Sequence, residues 1–104
     1  MIPQSLNLAG GTQPEIFGTT VEAMTQQLQA DAAKFWQAAL TQDGPIEIWE
    51  VNGVRWLYNG NHSYQAAIQA GVEIPVSHIK IVDMTGTAIP TWRFDQMVWL
   101  SAAK

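Results

Sequence analysis

The sequence predicts an α+β domain: a small mixed sheet that carries a hairpin and is flanked by helices. Three observations lead there. Val21, Met24, Leu28, Ala32, Phe35 and Ala39 recur at helical spacing; two short alternating runs flank Asn52-Gly53, the strongest two-residue hairpin signal; and a second helical stretch after His62 stops at Ala70-Gly71. With no repeat, low-complexity tract or linker between these segments, they form one layered domain over residues 1–104.

At the N-terminus, Gln4 to Leu8 alternates polar with apolar residues and is expected as a short edge strand. A loop should follow over Ala9-Gly10-Gly11-Thr12-Gln13-Pro14. Thr19 and Glu22 have the spacing of a capping box, in which hydroxyl and carboxylate each satisfy a free N–H at a helix start. The helix they open is expected to run about five turns to Gln42-Asp43-Gly44, with Pro45 as its stop.

Pro45 to Val51 then alternates, and Val54 to Tyr58 returns as its antiparallel partner. Ile46, Ile48, Val54 and Trp56 are the candidates for the buried face of that hairpin. A helix from His62 to Ala70 should place Gly71 in the left-handed position past its end, and Val76 to Val82 should add a strand that carries His78 as an ordinary strand side chain. After a loop over Asp83 to Pro90, Thr91 can cap a last helix from Trp92 to about Ser101. Its Trp92, Phe94, Met97, Val98 and Trp99 leave little polar face, so the helix should bury Trp92, Val98 or Trp99 against the sheet or a partner.

Composition narrows the function classes. Hydrophobic residues make up 47% and charged residues 13% of the 104, which suits a globular chain and not a disordered one. No apolar run approaches the roughly 20 residues of a membrane span. Met1-Ile2-Pro3-Gln4 opens no basic-then-apolar leader, so the expected location is the cytoplasm. The absence of cysteine removes disulfides, thiolate metal sites and thiol chemistry together. The net charge is −4, and Lys34, Arg55, Lys80, Arg93 and Lys104 are scattered, so a broad DNA-binding face is not expected. Five tryptophans are roughly three to four times ordinary usage; Trp49, Trp56, Trp92 and Trp99 suit either core packing or an aromatic wall for stacked bases.

The segment Asn59-Gly60-Asn61-His62-Ser63-Tyr64 is where chemistry is expected. A strand, a tight polar turn and a helix start bring free N–H groups and an imidazole to one point, the means by which a protein holds an anion. His62 at the helix start suits acid/base work or phosphate binding, or else it caps the helix. Gly60 suits a positive φ, Asn61 a turn residue that can read a ligand, and Tyr64 packing or base stacking. Glu47 and Glu50 on the hairpin are either solvated sheet residues, or one of them is a metal ligand or general base.

The stretch from Pro45 to Val76, about a third of the chain, resembles the ParB/sulfiredoxin superfamily and its ParB-like nuclease domains, found in bacterial toxins and phages. The resemblance runs through Pro45-Ile46-Glu47-Ile48, Val51-Asn52-Gly53, Leu57 to His62, Ala66-Ala67, Ala70-Gly71-Val72 and Ile74-Pro75-Val76. It implies a ParB/sulfiredoxin-like fold and a nuclease or nucleotide-hydrolysing site, with His62 and Asn59 as catalytic residues and Gly60, Asn61, His62 and Ser63 around a phosphate. Two positions depart from the family pattern: Asn59 stands where an Asp is usual, and Ser63 where an Arg is usual. An amide carries no charge to bind a cation, and a hydroxyl cannot clamp a phosphate as a guanidinium does. Arg55 or Arg93 is the expected substitute for the missing clamp. Asn61 occupies the place of the sulfiredoxin cysteine, which removes that reaction.

The expectations divide accordingly. One is a nuclease or nucleotide hydrolase using the turn; another is a module that binds a nucleotide or nucleic acid without turnover; a third is an interaction domain acting as a homodimer or on a protein partner through its C-terminal helix. The metal ligands are left open, and Mg²⁺ is the cofactor such a site would take.

Overall fold

The predicted hairpin forms the middle of the sheet. In the computed structural model, which describes residues 6–100, β3 (Ile46–Val51) and β4 (Val54–Asn59) pair antiparallel across Asn52-Gly53. Both turn residues have positive φ, 52° and 81°, as a type I′ turn requires. This two-residue turn puts Ile48 opposite Leu57 and Trp49 opposite Trp56. The buried face is therefore built by Ile46, Ile48 and Leu57, while Val54 is exposed and Trp56 lies with Trp49 on the other face. Leu57 replaces Val54 and Trp56 because residues directly opposite share a face.

Around the hairpin, a five-stranded mixed sheet takes the order β5-β3-β4-β1-β6, with β1 Leu8–Gly11, β5 Ile79–Asp83 and β6 Trp92–Arg93. A second, two-stranded parallel sheet joins β2 (Glu15–Phe17) to β7 (Val98–Leu100). Three helices, α1 (Gly18–Ala30), α2 (Ala32–Asp43) and α3 (Asn61–Ala70), pack Val21, Leu28, Phe35, Trp36, Tyr64, Ala66 and Ala67 with Ile46, Ile48 and Leu57 in one core. The α+β class with a small mixed sheet and flanking helices is what the periodicities imply.

Several expectations are corrected. The segment read as one five-turn helix is two: Asp31, extended at φ −161° and ψ 91°, ends α1 and caps α2 by accepting the Lys34 N–H at 3.1 Å. The first helix begins at Gly18 after Phe17, so Thr19 lies inside its first turn and is not the N-cap of a capping box. Gly10 and Gly11, read as loop, belong to β1; a Cβ on Gly10 would collide with the Trp92 carbonyl, so glycine there admits β6 alongside. Gln4 and Ser5 of the expected edge strand lie outside the described residues. Val76–His78 is a 3₁₀ turn before β5.

The largest correction is the C-terminal helix. Trp92-Arg93 and Val98–Leu100 are strands joined by a 3₁₀ turn at Phe94–Gln96, because each finds an open strand to pair with: β1 for the first and β2 for the second. Met97 is buried and Trp92 packs partly against the core, but Val98 and Trp99 are 54% and 45% exposed and are not the buried anchors expected of them. Ser101, the expected end, lies outside the described residues.

Candidate functional site: the head of helix α3

Asn59, the last residue of β4, is a structural donor. Its Nδ2 donates to the carbonyls of Asp43 at 2.8 Å and Pro45 at 3.0 Å, tying the α2–β3 connection to the end of β4. The two protons of the amide nitrogen serve both carbonyls, which a carboxylate, offering acceptors alone, could not do.

Gly60 follows at φ 91° and ψ 29°, the left-handed conformation, immediately before α3. A Cβ there would run into Ile46 Cδ1, so the turn needs glycine for both conformation and space. The first internal bond of the helix is Tyr64 N–H to the Gly60 carbonyl at 2.8 Å. The N–H groups of Asn61, His62 and Ser63 precede it and lie at the positive end of the helix dipole.

The three side chains in that first turn go separate ways. Asn61 is buried and faces the sheet: its Nδ2 reaches the Leu57 carbonyl at 3.4 Å, and its Oδ1, buried and without a hydrogen-bond partner among the described residues, lies against Gly11. Its side chain is thus turned toward the sheet, and only its N–H belongs to the head of the helix. His62 faces the β2–α1 junction. The Phe17 N–H donates to His62 Nε2 at 3.0 Å, and the two rings stack with centroids 5.8 Å apart and planes 8° apart. Ser63 is buried, with its hydroxyl 3.9 Å from Met24 Sδ.

Ser63 lines a cleft of about 630 Å³ between α1 and α2. Its walls include Met24, Gln27, Lys34, Phe35 and Asp43. That volume lies within the roughly 300–1,000 Å³ usual for small-ligand sites. Ser63 also lines a second, much smaller void of about 10 Å³ with Trp36, Asn59, Gly60 and His78.

Because Nε2 of His62 accepts a hydrogen bond, the neutral ring carries its proton on Nδ1, and burial holds its pKa below the ordinary 6.5. The sign follows from linkage. Below pH 6.5 the unfolded chain takes up a proton that folded His62 resists, so its contribution to stability is complete above that pH. As pH falls through 6.5 toward the folded value, that contribution is lost. Urea melts from about pH 7.5 to about pH 5 should show stability declining over that window, with a shallower decline in His62→Gln. Identical slopes for the two proteins would dissociate His62 from the effect.

The other expected site residues are not brought to the turn. Arg55 sits at the far end of β4, roughly 13 Å along the strand from Asn59, where its Nε bonds Glu50 Oε2 at 3.2 Å and its Nη1 the Leu6 carbonyl at 3.3 Å. Arg93 lies on β6, beyond β1. Glu47 accepts from Trp49 Nε1 at 2.7 Å, so both hairpin glutamates have local partners. Tyr64 packs: it is buried and stacked on Phe94 at 5.7 Å. The four-tryptophan wall is not assembled, since only Trp49 and Trp56 share a face, with Tyr58 stacked on Trp49 at 3.8 Å, while Trp99 is in the other sheet. His78 stands in the 3₁₀ turn, not in a strand, and reaches the void at the head of α3. Neither it nor Trp36 stood out in the sequence as part of this site, because a Trp in an apolar helix stripe looks like core.

Comparison with protein-family models, with curated proteins and with solved structures finds no match for this chain. No helix among the described residues is long and apolar enough to cross a membrane.

Proposed function

We propose that this chain is a cytoplasmic nucleotide-binding module of ParB-like type. In this reading the head of α3 holds a phosphate of the nucleotide, and the cleft between α1 and α2 takes the remainder. The observation that carries the reading is Ser63: it belongs to the first turn of α3, where the N–H groups are free of internal bonds, and it also lines a cleft of ligand size.

Binding without turnover is favoured over hydrolysis by the environment of His62. Its Nε2 lone pair is engaged by the Phe17 N–H, and a proton taken there would oppose one donor with another. Asn59, the second expected catalytic residue, is likewise held by two carbonyls. Titration with ATP, CTP and GTP in the presence of Mg²⁺, followed by tryptophan fluorescence and by phosphate release, should show saturable binding of at least one nucleotide without release. Release at a rate that His62→Ala abolishes would restore the hydrolase. A second reading, a protein-partner surface on β7, is favoured by the exposed Val98 and Trp99, and silence toward every nucleotide would select it.

A further inference from the structure

His62 stands where two helices start. Phe17, the residue before α1, donates its N–H at 3.0 Å to Nε2 of His62 in the first turn of α3, and the two rings stack. The positive ends of both helices therefore meet at this imidazole. Phe17 also closes β2, where it pairs with Leu100 of β7, so the same contact fastens the second sheet to α3.

The bond holds only while Nε2 carries no proton. A proton there sets one N–H against another at the positive ends of two helices, in a partly buried place. Among the described residues no carboxylate is placed to offset that charge. The elements packed around the ring carry Glu15 on β2, Glu22 on α1 and Asp95 in the 3₁₀ turn beside Tyr64, all three exposed, and β7 carries no charged residue. Burial is the cause that holds the His62 pKa down, and burial likewise raises that of Tyr64, which stays neutral. Asp31, Lys34 and Asp43 line the cleft at Ser63, whose wall does not include His62.

We propose that His62 is a proton-operated latch: neutral, it fastens the start of α1 to the head of α3; protonated, it releases Phe17, and the freed imidazolium joins the head of α3 as a cation. Ile16, fully buried, keeps β2 in the core and confines the release to Phe17 and the first turn of α1. The second half of the inference rests on the phosphate reading of the helix head. Arg55 and Arg93 lie elsewhere on the sheet, so a phosphate there meets no guanidinium, and an imidazolium supplies the missing charge. Coupling of this kind is reciprocal: the proton tightens the phosphate, and the phosphate raises the pH at which His62 takes its proton. Affinity should therefore rise about five- to tenfold as pH falls from about 7.5 to about 5.

The test is an NMR titration from about pH 8 to about pH 5, first of the chain alone. The chain has two histidines, and the imidazole signal missing in His62→Gln identifies His62. The Phe17 amide should shift with the same midpoint as that imidazole. In His62→Gln, whose side-chain oxygen accepts the Phe17 N–H without titrating, it should stay fixed. A Phe17 amide that does not follow the imidazole would overturn the latch. Mg²⁺-bound ATP, CTP and GTP are then added in turn. For a nucleotide that binds, the His62 midpoint should rise, and affinity should climb more steeply with acid than in His62→Gln, which subtracts the nucleotide's own titration. Binding with the midpoint unmoved would overturn the coupling and leave the phosphate reading standing. Binding of none of them at any pH would overturn that reading and the coupling with it, while the Phe17 amide alone decides the latch.

Discussion

Asn59→Asp is expected to destabilise the fold by about 2–4 kcal/mol at neutral pH, more than Asn59→Ala does. The amide nitrogen serves two carbonyls, Asp43 and Pro45, at 2.8 and 3.0 Å. Alanine leaves those carbonyls short of a donor; aspartate in addition aims a carboxylate at them from hydrogen-bond distance, with no proton between. The excess cost of aspartate over alanine should shrink as pH is lowered through the carboxyl's pKa, because the protonated acid can donate to one carbonyl. Urea melts of the two variants at neutral and acid pH measure this. An Asn59→Asp protein as stable as the parent at neutral pH would mean that the amide contacts do not matter and that a carboxylate is tolerated at this position. The effect lies on the step from packing to function, since the same contacts position the strand end from which α3 starts.

Gly60→Ala is expected to cost about 2–5 kcal/mol, in two parts. The left-handed backbone at φ 91° accounts for roughly 1–2 kcal/mol in any residue with a Cβ. The collision with Ile46 Cδ1 accounts for roughly 1–3 kcal/mol more, since Ile46 is itself in the core. Gly71 separates the two terms. It ends α3 in the same left-handed region, at φ 68°, but nothing lies within 4 Å of where its Cβ would be. Gly71→Ala should therefore show the backbone term alone, and Ile46→Val should recover part of the loss at Gly60 but none at Gly71. Equal costs at the two glycines would remove the Ile46 contact from the account.

How much of this was legible in the sequence depends on which forces a residue answers to. The Asn52-Gly53 turn, the two glycines that bracket α3 and the alternation of β3 are local signals with local causes, and they appear where the residues place them. A two-residue turn also dictates that Ile48 faces Leu57, yet the expected buried face named Val54 and Trp56, which that turn sets opposite Val51 and Trp49 on the other face. The break at Asp31 carried a signal, an aspartate three residues before Lys34, but the apolar period continues across it from Leu28 to Phe35 and conceals it. The C-terminal segment was not legible. Its apolar residues fit a helix by spacing, and what overrides that is the presence of β1 and β2, over 70 residues away, as strands with free edges. For the site, the turn was marked by Gly60 and His62, but which way each side chain faces was set by distant elements: Phe17 for His62, Gly11 for Asn61, Met24 for Ser63. Arg55 could not be placed from its proximity in sequence, because four residues of extended chain carry it to the opposite end of the strand.

The central claim, that the head of α3 holds a phosphate, is tested most directly by backbone amide ¹H–¹⁵N spectra recorded while Mg²⁺-bound ATP, CTP and GTP are added in turn. The account predicts that, for at least one nucleotide, the amides of Asn61, His62 and Ser63 shift together and saturate, while Asn52 and Gly53 at the hairpin tip stay fixed. Saturable binding that leaves those three amides unmoved, or shifts confined to the Trp49, Trp56 and Tyr58 face of the sheet, would contradict it.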